Sequence, residues 1–454
     1  MDHSKKPFVL MSAFVGSHLS AVLPIAQNLV SQGYDVYFLT PTARRSMVEA
    51  TGAKFVPLLG AADFTEEDFD SMGPGKTESQ KSGPEGLIYD MIHYFLNPIP
   101  AQYESIQSAL RDFKAKDASR PVVLLNEAAF GGALCVKLGA SGLVPAGLIS
   151  IGIVPLPITS ADTAPFGPGL PPDSTPAGRE RNIAMNQQIL ETLFKEPQEA
   201  FQNALKSTGA STTPYFFFDA AVRVPDRFVQ MCHPALEYPR SDAPSNIVFA
   251  GSFPPNESGN WANRPEWWDD VAVNSEKKRI VFVCQGTFQT NYKDLILPTM
   301  ESFREDPSVL VVAALGVRGS SIPSETVPAN CRVVDFIPFE EILPYATVFV
   351  TNGGYGGVQK AISAGVPMVI GGASEDKPEV AGRAEWAGIG VNLRTATPTK
   401  EAVSEAVNEI LGNPKYTQKV QEIAADLKKS YRPFATIAKA IDEIAAVYKD
   451  GNMS

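Results

Sequence analysis

Groups able to do chemistry are densest between Val350 and Arg383, VTNGGYGGVQKAISAGVPMVIGGASEDKPEVAGR. An apolar run, Thr347 to Val350, leads into the turn Thr351-Asn352-Gly353-Gly354. Tyr355, Gly356 and Gly357 follow, then a short helical pattern from Val358 to Ala364. Gly353, Gly354, Gly356 and Gly357 fall within five positions, so the backbone can approach a ligand closely and aim free N–H groups at it. A strand, glycine turn and helix in this order place an anion, a phosphate above all, at the helix N-terminus. A further strand, Pro367 to Ile370, ends in the charged loop Glu375-Asp376-Lys377-Pro378. That loop falls on the edge where open α/β sheets bind ligands. A nicotinamide-type glycine fingerprint fits poorly, because with Gly354 and Gly356 as its first two glycines the third position is Gln359. The other candidate is His18, in the turn from Phe14 that follows the first strand. An imidazole titrating near neutrality suits a base that takes a hydroxyl proton. Its place ahead of a helix N-terminus should disfavour the imidazolium. His3, His93 and His233 have no such context.

The elements that must position these groups alternate strand and helix. Pro7 to Ala13 reads as a buried strand. From Ser20 the apolar residues Leu23, Ile25, Ala26, Leu29 and Val30 mark a helix ending at Gly33, with Pro24 tolerated in its first turn. Tyr34 to Thr40 is the next strand. Residues 60–100 are irregular before an aromatic helical stretch, Leu87 to Phe95. A strand from Pro121 to Leu125 leads to Asn126-Glu127 and a helix through Leu138. The strand Gly147 to Val154 runs into the proline-rich PLPITSADTAPFGPGLPPDSTP, a loop expected to be a lid or a binding wall. A long helix over 180–208 and short strands at Phe216–Phe218, Phe228–Met231 and Ile247–Phe249 close the first half. Gly251 to Ser275 has the composition of a linker. Strands at Arg279–Val283, Val309–Ala314 and Cys331–Phe336 open the second half, and helices near 399–411, 415–430 and 433–448 end the chain.

With these elements in place, the spacing from glycine turn to Asp376-Lys377 resembles the donor-site signature of family 1 nucleotide-sugar glycosyltransferases, His-x-Gly…Glu-Ala…Gly-x-Pro…Asp-Gln. Asn352, Gly354, Ala361, Gly365, Pro367, Asp376 and Lys377 are in register with it. The opening Gly16-x-His18, with Leu23, Ile25-Ala26, Leu29 and Gly33, resembles the family's first motif, with Ala21 where proline is frequent. The resemblance implies an α/β chain of two Rossmann-like domains facing each other across a cleft, the GT-B architecture. It implies an acceptor-binding domain at 1–252, a linker at 253–277, a nucleotide-sugar-binding domain at 278–430, and a last helix at 431–454 crossing back to the first domain. It makes His18 the catalytic base and asks for a carboxylate at the end of the 121–125 strand. Here Glu127 supplies it from a shifted register, or Asn126 fixes the tautomer. Gly16, Ser17, Gly286 and Thr287 would approach the diphosphate, and Phe336 would stack on the base while Ile337 reads its edge through the backbone. Asp376 and Lys377 would meet the sugar. Three departures stand out. Asn352 replaces a phosphate-facing histidine and Lys377 a glutamine, and Lys360 replaces a ribose-binding glutamate, so that Gln359 or a different nucleotide geometry must serve.

At 454 residues the chain has room for two domains. Its 44% hydrophobic and 20% charged content fits a water-soluble globular protein, and a net charge of −11 argues against nucleic acid as a partner. Four scattered cysteines form no C-x-x-C pair, and no apolar run reaches membrane-span length. A signal peptide is not apparent, so a cytoplasmic protein is expected. The expected activity is inverting transfer of a hexose from a nucleotide sugar, UDP-glucose by family precedent, to a hydroxyl of a small apolar or phenolic acceptor. That acceptor would lie near His18, Ile92, Phe95 and the proline-rich loop, and neither metal nor cofactor is expected. An epimerase of the same fold and a non-catalytic nucleotide-sugar-binding protein are the rival readings. The oligomeric state is not legible.

Overall fold

The computed structural model describes residues 6–65, 68, 77, 83–254, 261, 264–286 and 291–448. Its core is two parallel sheets. The first contains β1 (Phe8–Ser12), β2 (Asp35–Thr40), β3 (Lys54–Pro57), β4 (Val122–Glu127), β5 (Gly147–Gly152), β6 (Arg227–Gln230) and β7 (Ile247–Phe249), in the order β3-β2-β1-β4-β5-β6-β7. The second contains β8 (Arg279–Cys284), β9 (Val309–Ala314), β10 (Cys331–Val334), β11 (Val348–Thr351), β12 (Met368–Ile370) and β13 (Gly390–Asn392), in the order β10-β9-β8-β11-β12-β13. Helices cover both faces of each, which is why FVLMS in β1 and VFVT in β11 are buried along their whole length. In each sheet the order in which strands are added reverses once, between β1 and β4 and between β8 and β11. The crevice at such a switch point is where open sheets bind ligands.

Helix Pro433–Val447 belongs to the first sheet's core although it ends the chain. Its Ile437 and Ile441 are fully buried with Val9, Met11, Leu125 and Ile149, and Tyr34 donates a 2.8 Å hydrogen bond to Asp442. All four cysteines are free and buried. Among the described residues no helix is long and apolar enough to cross a membrane.

Several local expectations are corrected. Phe216–Phe218 is not a strand: the residues lead into helix Phe217–Arg223, and all three rings converge on Phe194 at 5.2–6.1 Å, a packing that alternating strand faces could not give. The single helix over 180–208 is two, Pro176–Glu191 and Lys195–Ser207, parted where Phe194 turns into that cluster. The aromatic stretch after Gly83–Asp90 widens into a π turn, Met91–Leu96. Helix Gly16–Ser31 starts before Ser20, so His18 lies in its first turn and Pro24 inside it, where the proline forfeits one ladder hydrogen bond. The linker carries two single-turn helices, Glu266–Trp268 and Asp269–Ala272.

Candidate active site

β1 ends at Ser12, and helix Gly16–Ser31 turns His18 back over the C-terminal end of the first sheet. β4 lies beside β1 in register, with Ser12 opposite Asn126, so Glu127 arrives at the same edge. Nδ1 of His18 stands 3.0 Å from Oε2 of Glu127, off the alignment of an ideal hydrogen bond; the imidazole side chain is 22% exposed and the carboxylate 1%. The second carboxylate oxygen of Glu127 accepts from the Ala129 N–H at 3.2 Å. Successive strand residues face opposite ways, and Asn126 therefore points elsewhere. It donates to the carbonyls of Glu127 (2.9 Å) and Phe130 (3.4 Å) and accepts from Ser150 at 2.9 Å. Of the two alternatives at this position, the structure brings Glu127 to the histidine and leaves Asn126 in the sheet.

The sign expected for His18 is reversed. Burial pulls its pKa down, but the Glu127 carboxylate, with Asp376 adding from the second half, more than offsets this, and the value is raised above the ordinary 6.5. A nearby negative charge favours the imidazolium more than the helix start disfavours it. Asp376 moves the same way for another reason: burial raises its pKa, and His18 opposes that only in part. The two groups sense each other across the crevice between the sheets.

The glycine turn of the second half is held by close backbone contacts. Gly353 has φ +88°, and a Cβ there would lie 2.7 Å from Ile370. Gly354 caps helix Tyr355–Ala364, whose first turn has neither a side-chain cap nor an acidic residue. A Cβ on Gly356 would meet nothing within 4 Å, whereas Gly357 sits under the Phe339 ring. A helix start with neither a side-chain cap nor an acidic residue is an arrangement that receives anions. Asn352 is spent locally: it donates to the Gln285 carbonyl and accepts from Gly354 N–H at 3.3 Å. Gly286, at φ +77°, lies beside it, while Thr287 falls outside the described residues. Gln359 turns toward the first half and accepts from Ser252 at 2.6 Å, and Lys360 pairs with Glu340 at 2.9 Å.

Phe336 is half-exposed with the Arg318 guanidinium 4.2 Å above its ring, and Ile337 is buried in the core. Gly16 and Ser17 begin the His18 helix, with Ser17 exposed. On the first half Phe95 packs edge-on to Phe14 at 5.4 Å, which joins it to the His18 turn, and Ile92 is half-buried in the π turn. Asp376 is the N-cap of helix Lys377–Trp386. Lys377 is nearly buried against Ser374 and Glu375, and burial lowers its pKa to about 8. Among the described residues no group of three or more His, Cys, Asp or Glu side chains could hold a metal ion.

Sequence reasoning missed the residues just beyond Asp376. Glu379 and Arg383 point from the same helix into the first half, where Arg383 reaches Glu237 at 2.9 Å. Their partners in the first half, Gly167, Gly169 and Glu237, lie more than a hundred residues away, and no local pattern announces them.

Two parallel α/β sheets facing across a crevice, with a histidine–carboxylate pair on one side and an open helix start on the other, define the GT-B class of glycosyltransferase. Residues 309–444 match the family model of the erythromycin biosynthesis protein CIII-like C-terminal domain. UDP-glycosyltransferase 2 of Phaeomoniella chlamydospora is 42% identical over 451 residues, covering 97% of this chain and 96% of its own. UDP-glucosyltransferase A1 of Starmerella bombicola is 37% identical, covering 98% and 93%. Among solved structures, the glycotransferase of kitacinnamycin superposes with a TM-score of 0.72 at 20% identity, over 97% of this chain and all of that one. The chain belongs to the UDP-glycosyltransferases of family 1 and is a glycosyltransferase.

Proposed function

We propose that this glycosyltransferase transfers glucose from UDP-glucose, with inversion, to a hydroxyl of a small, largely apolar or phenolic acceptor, and that His18 is the general base. The observation that carries the reading is the 3.0 Å approach of Glu127 to Nδ1 of His18, which commits that nitrogen and leaves Nε2 to take a proton. As the acceptor oxygen attacks the anomeric carbon, its proton passes to Nε2. The bond from that carbon to the diphosphate oxygen breaks, and the electron pair leaves with the nucleotide. One displacement converts an α-linked donor into a β-linked product. Glu127 orients the ring and stabilises the imidazolium formed. The first-turn N–H groups of helix Tyr355–Ala364 meet the charge on the departing diphosphate, and this reading assigns no metal to the step. Asp376 takes sugar hydroxyls, with Lys377 as a donor beside it. Phe336, between solvent and Arg318, offers its ring to the base. The relatives named as UDP-glucosyltransferases support the donor, and Phe95 and Phe14 support an apolar acceptor.

The test is incubation with UDP-glucose, UDP-galactose and dTDP-glucose in turn against a mixed set of phenols, read by mass and by proton NMR. A hexose added from UDP-glucose, with the large anomeric coupling of a β-glucoside, is the expected product. An α-glycoside would refute single displacement, and preference for another donor would refute UDP-glucose.

A further inference from the structure

The proline-rich segment between β5 and helix Pro176–Glu191 leaves the first sheet at the edge where Glu127 ends, and it is anchored on both halves. Carboxylates fasten its backbone at intervals. Leu156 N–H donates to Glu237 at 2.7 Å, Thr159 N–H to Asp219 at 3.1 Å and Ala161 N–H to Asp242 at 2.8 Å. Gly167 and Gly169 N–H both donate to one oxygen of Glu379, at 2.7 and 2.9 Å. Backbone touches backbone at the same place. A Cβ on Gly169, which has φ +66°, would collide with the Pro378 carbonyl, and one on Gly382 would collide with the Gly169 carbonyl. Pro378 is two residues from Asp376.

Beneath this contact Arg383, 1% exposed, bonds the other oxygen of Glu379 at 2.5 Å and Glu237 at 2.9 Å, with its guanidinium 4.4 Å from the Tyr238 ring. A buried ion cluster of this kind is a poor device for stability alone, because apolar residues of similar volume often do as well. What it does supply is a fixed register between the donor-side helix and the segment that crosses the crevice.

We propose that residues 155–175 form a fixed strap across the cleft and that Glu379 and Arg383 are positioning residues that hold it as the wall against which the acceptor is seated. This rests on the reading of the cleft as a glycosyl-transfer site. The segment is therefore a wall and not a lid, since its ties run to both halves.

Hydrogen–deuterium exchange on the full chain tests this, with peptides spanning 163–170. Glu379→Ala removes the acceptor of two N–H groups and should speed exchange there at least about tenfold, whereas Glu379→Gln, which keeps a carbonyl oxygen, should stay near wild type. Gly169→Ala leaves the ion cluster intact and should reproduce the faster exchange, which keeps the test open if Glu379→Ala does not fold. UDP affinity by calorimetry should stay within about twofold, while KM for umbelliferone with UDP-glucose should rise about tenfold and kcat change less. Wild-type exchange in both Glu379→Ala and Gly169→Ala would overturn the strap. An unchanged KM, or UDP affinity falling in step with it, would overturn its acceptor role. Wild-type protein that leaves umbelliferone unglycosylated would count against the phenolic acceptor instead, with the exchange result still deciding the strap.

Discussion

Two carboxylates act on His18 from opposite halves of the chain, Glu127 by contact at 3.0 Å and Asp376 by its charge alone. Glu127 outweighs Asp376 as a raising influence, and together they overcome burial, so the pKa lies above 6.5. A protonated ring cannot accept a proton, so the rate should climb as pH rises through that raised value. Glu127→Gln removes the larger influence. The acid limb of kcat/KM against pH should therefore move to lower pH, while the plateau falls because the imidazolium formed in the reaction loses its partner. A limb left in place would mean that another group controls it. The histidine was legible because a glycine turn and a regular apolar helix pattern surround it. The choice between Asn126 and Glu127 was not, since it depends on which face of β4 meets helix Gly16–Ser31, and only the register of β1 with β4 fixes that.

Between β11 and helix Lys377–Trp386 the donor side is shaped by backbone packing. Gly372 shows this most plainly, for a Cβ there would collide with the Asn352 carbonyl and lie 2.9 Å from Cβ of Lys377. Gly372→Ala should lower unfolding free energy by about 1–3 kcal/mol and weaken UDP binding, as measured by denaturant titration and calorimetry. Wild-type values of both would show that the turn yields freely. At this scale the alternating order of strands and helices was readable, because buried parallel strands are continuous apolar runs bounded by glycine turns. Phe216–Phe218 was misread for a physical reason. Three aromatic residues fit a pleated sheet by propensity, but their rings gain more by closing on Phe194, and a helix start allows that.

Across the whole molecule the two sheets are joined by helix Pro433–Val447, by Ser252 to Gln359, by Gln230 to Tyr355 at 3.0 Å, and by the Arg383 cluster. Arg383→Met would leave Glu379 buried without its cation and Glu237 with Arg240 alone, at 3.5 Å. A loss of about 3–5 kcal/mol is expected, with calorimetric unfolding that splits from one transition into two; a wild-type thermogram would show that the cluster does not couple the halves. The side-chain ties among these were not legible in the sequence, since each pairs residues far apart in the chain whose types are ordinary where they stand. The central claim, that His18 takes the acceptor proton, is tested most directly by comparing initial rates of wild type and His18→Ala with UDP-glucose and an acceptor that the wild type glycosylates, with UDP affinity measured in parallel. Turnover should fall roughly 10²- to 10⁴-fold with UDP affinity almost unchanged. Equal turnover in the two proteins would remove His18 from the mechanism.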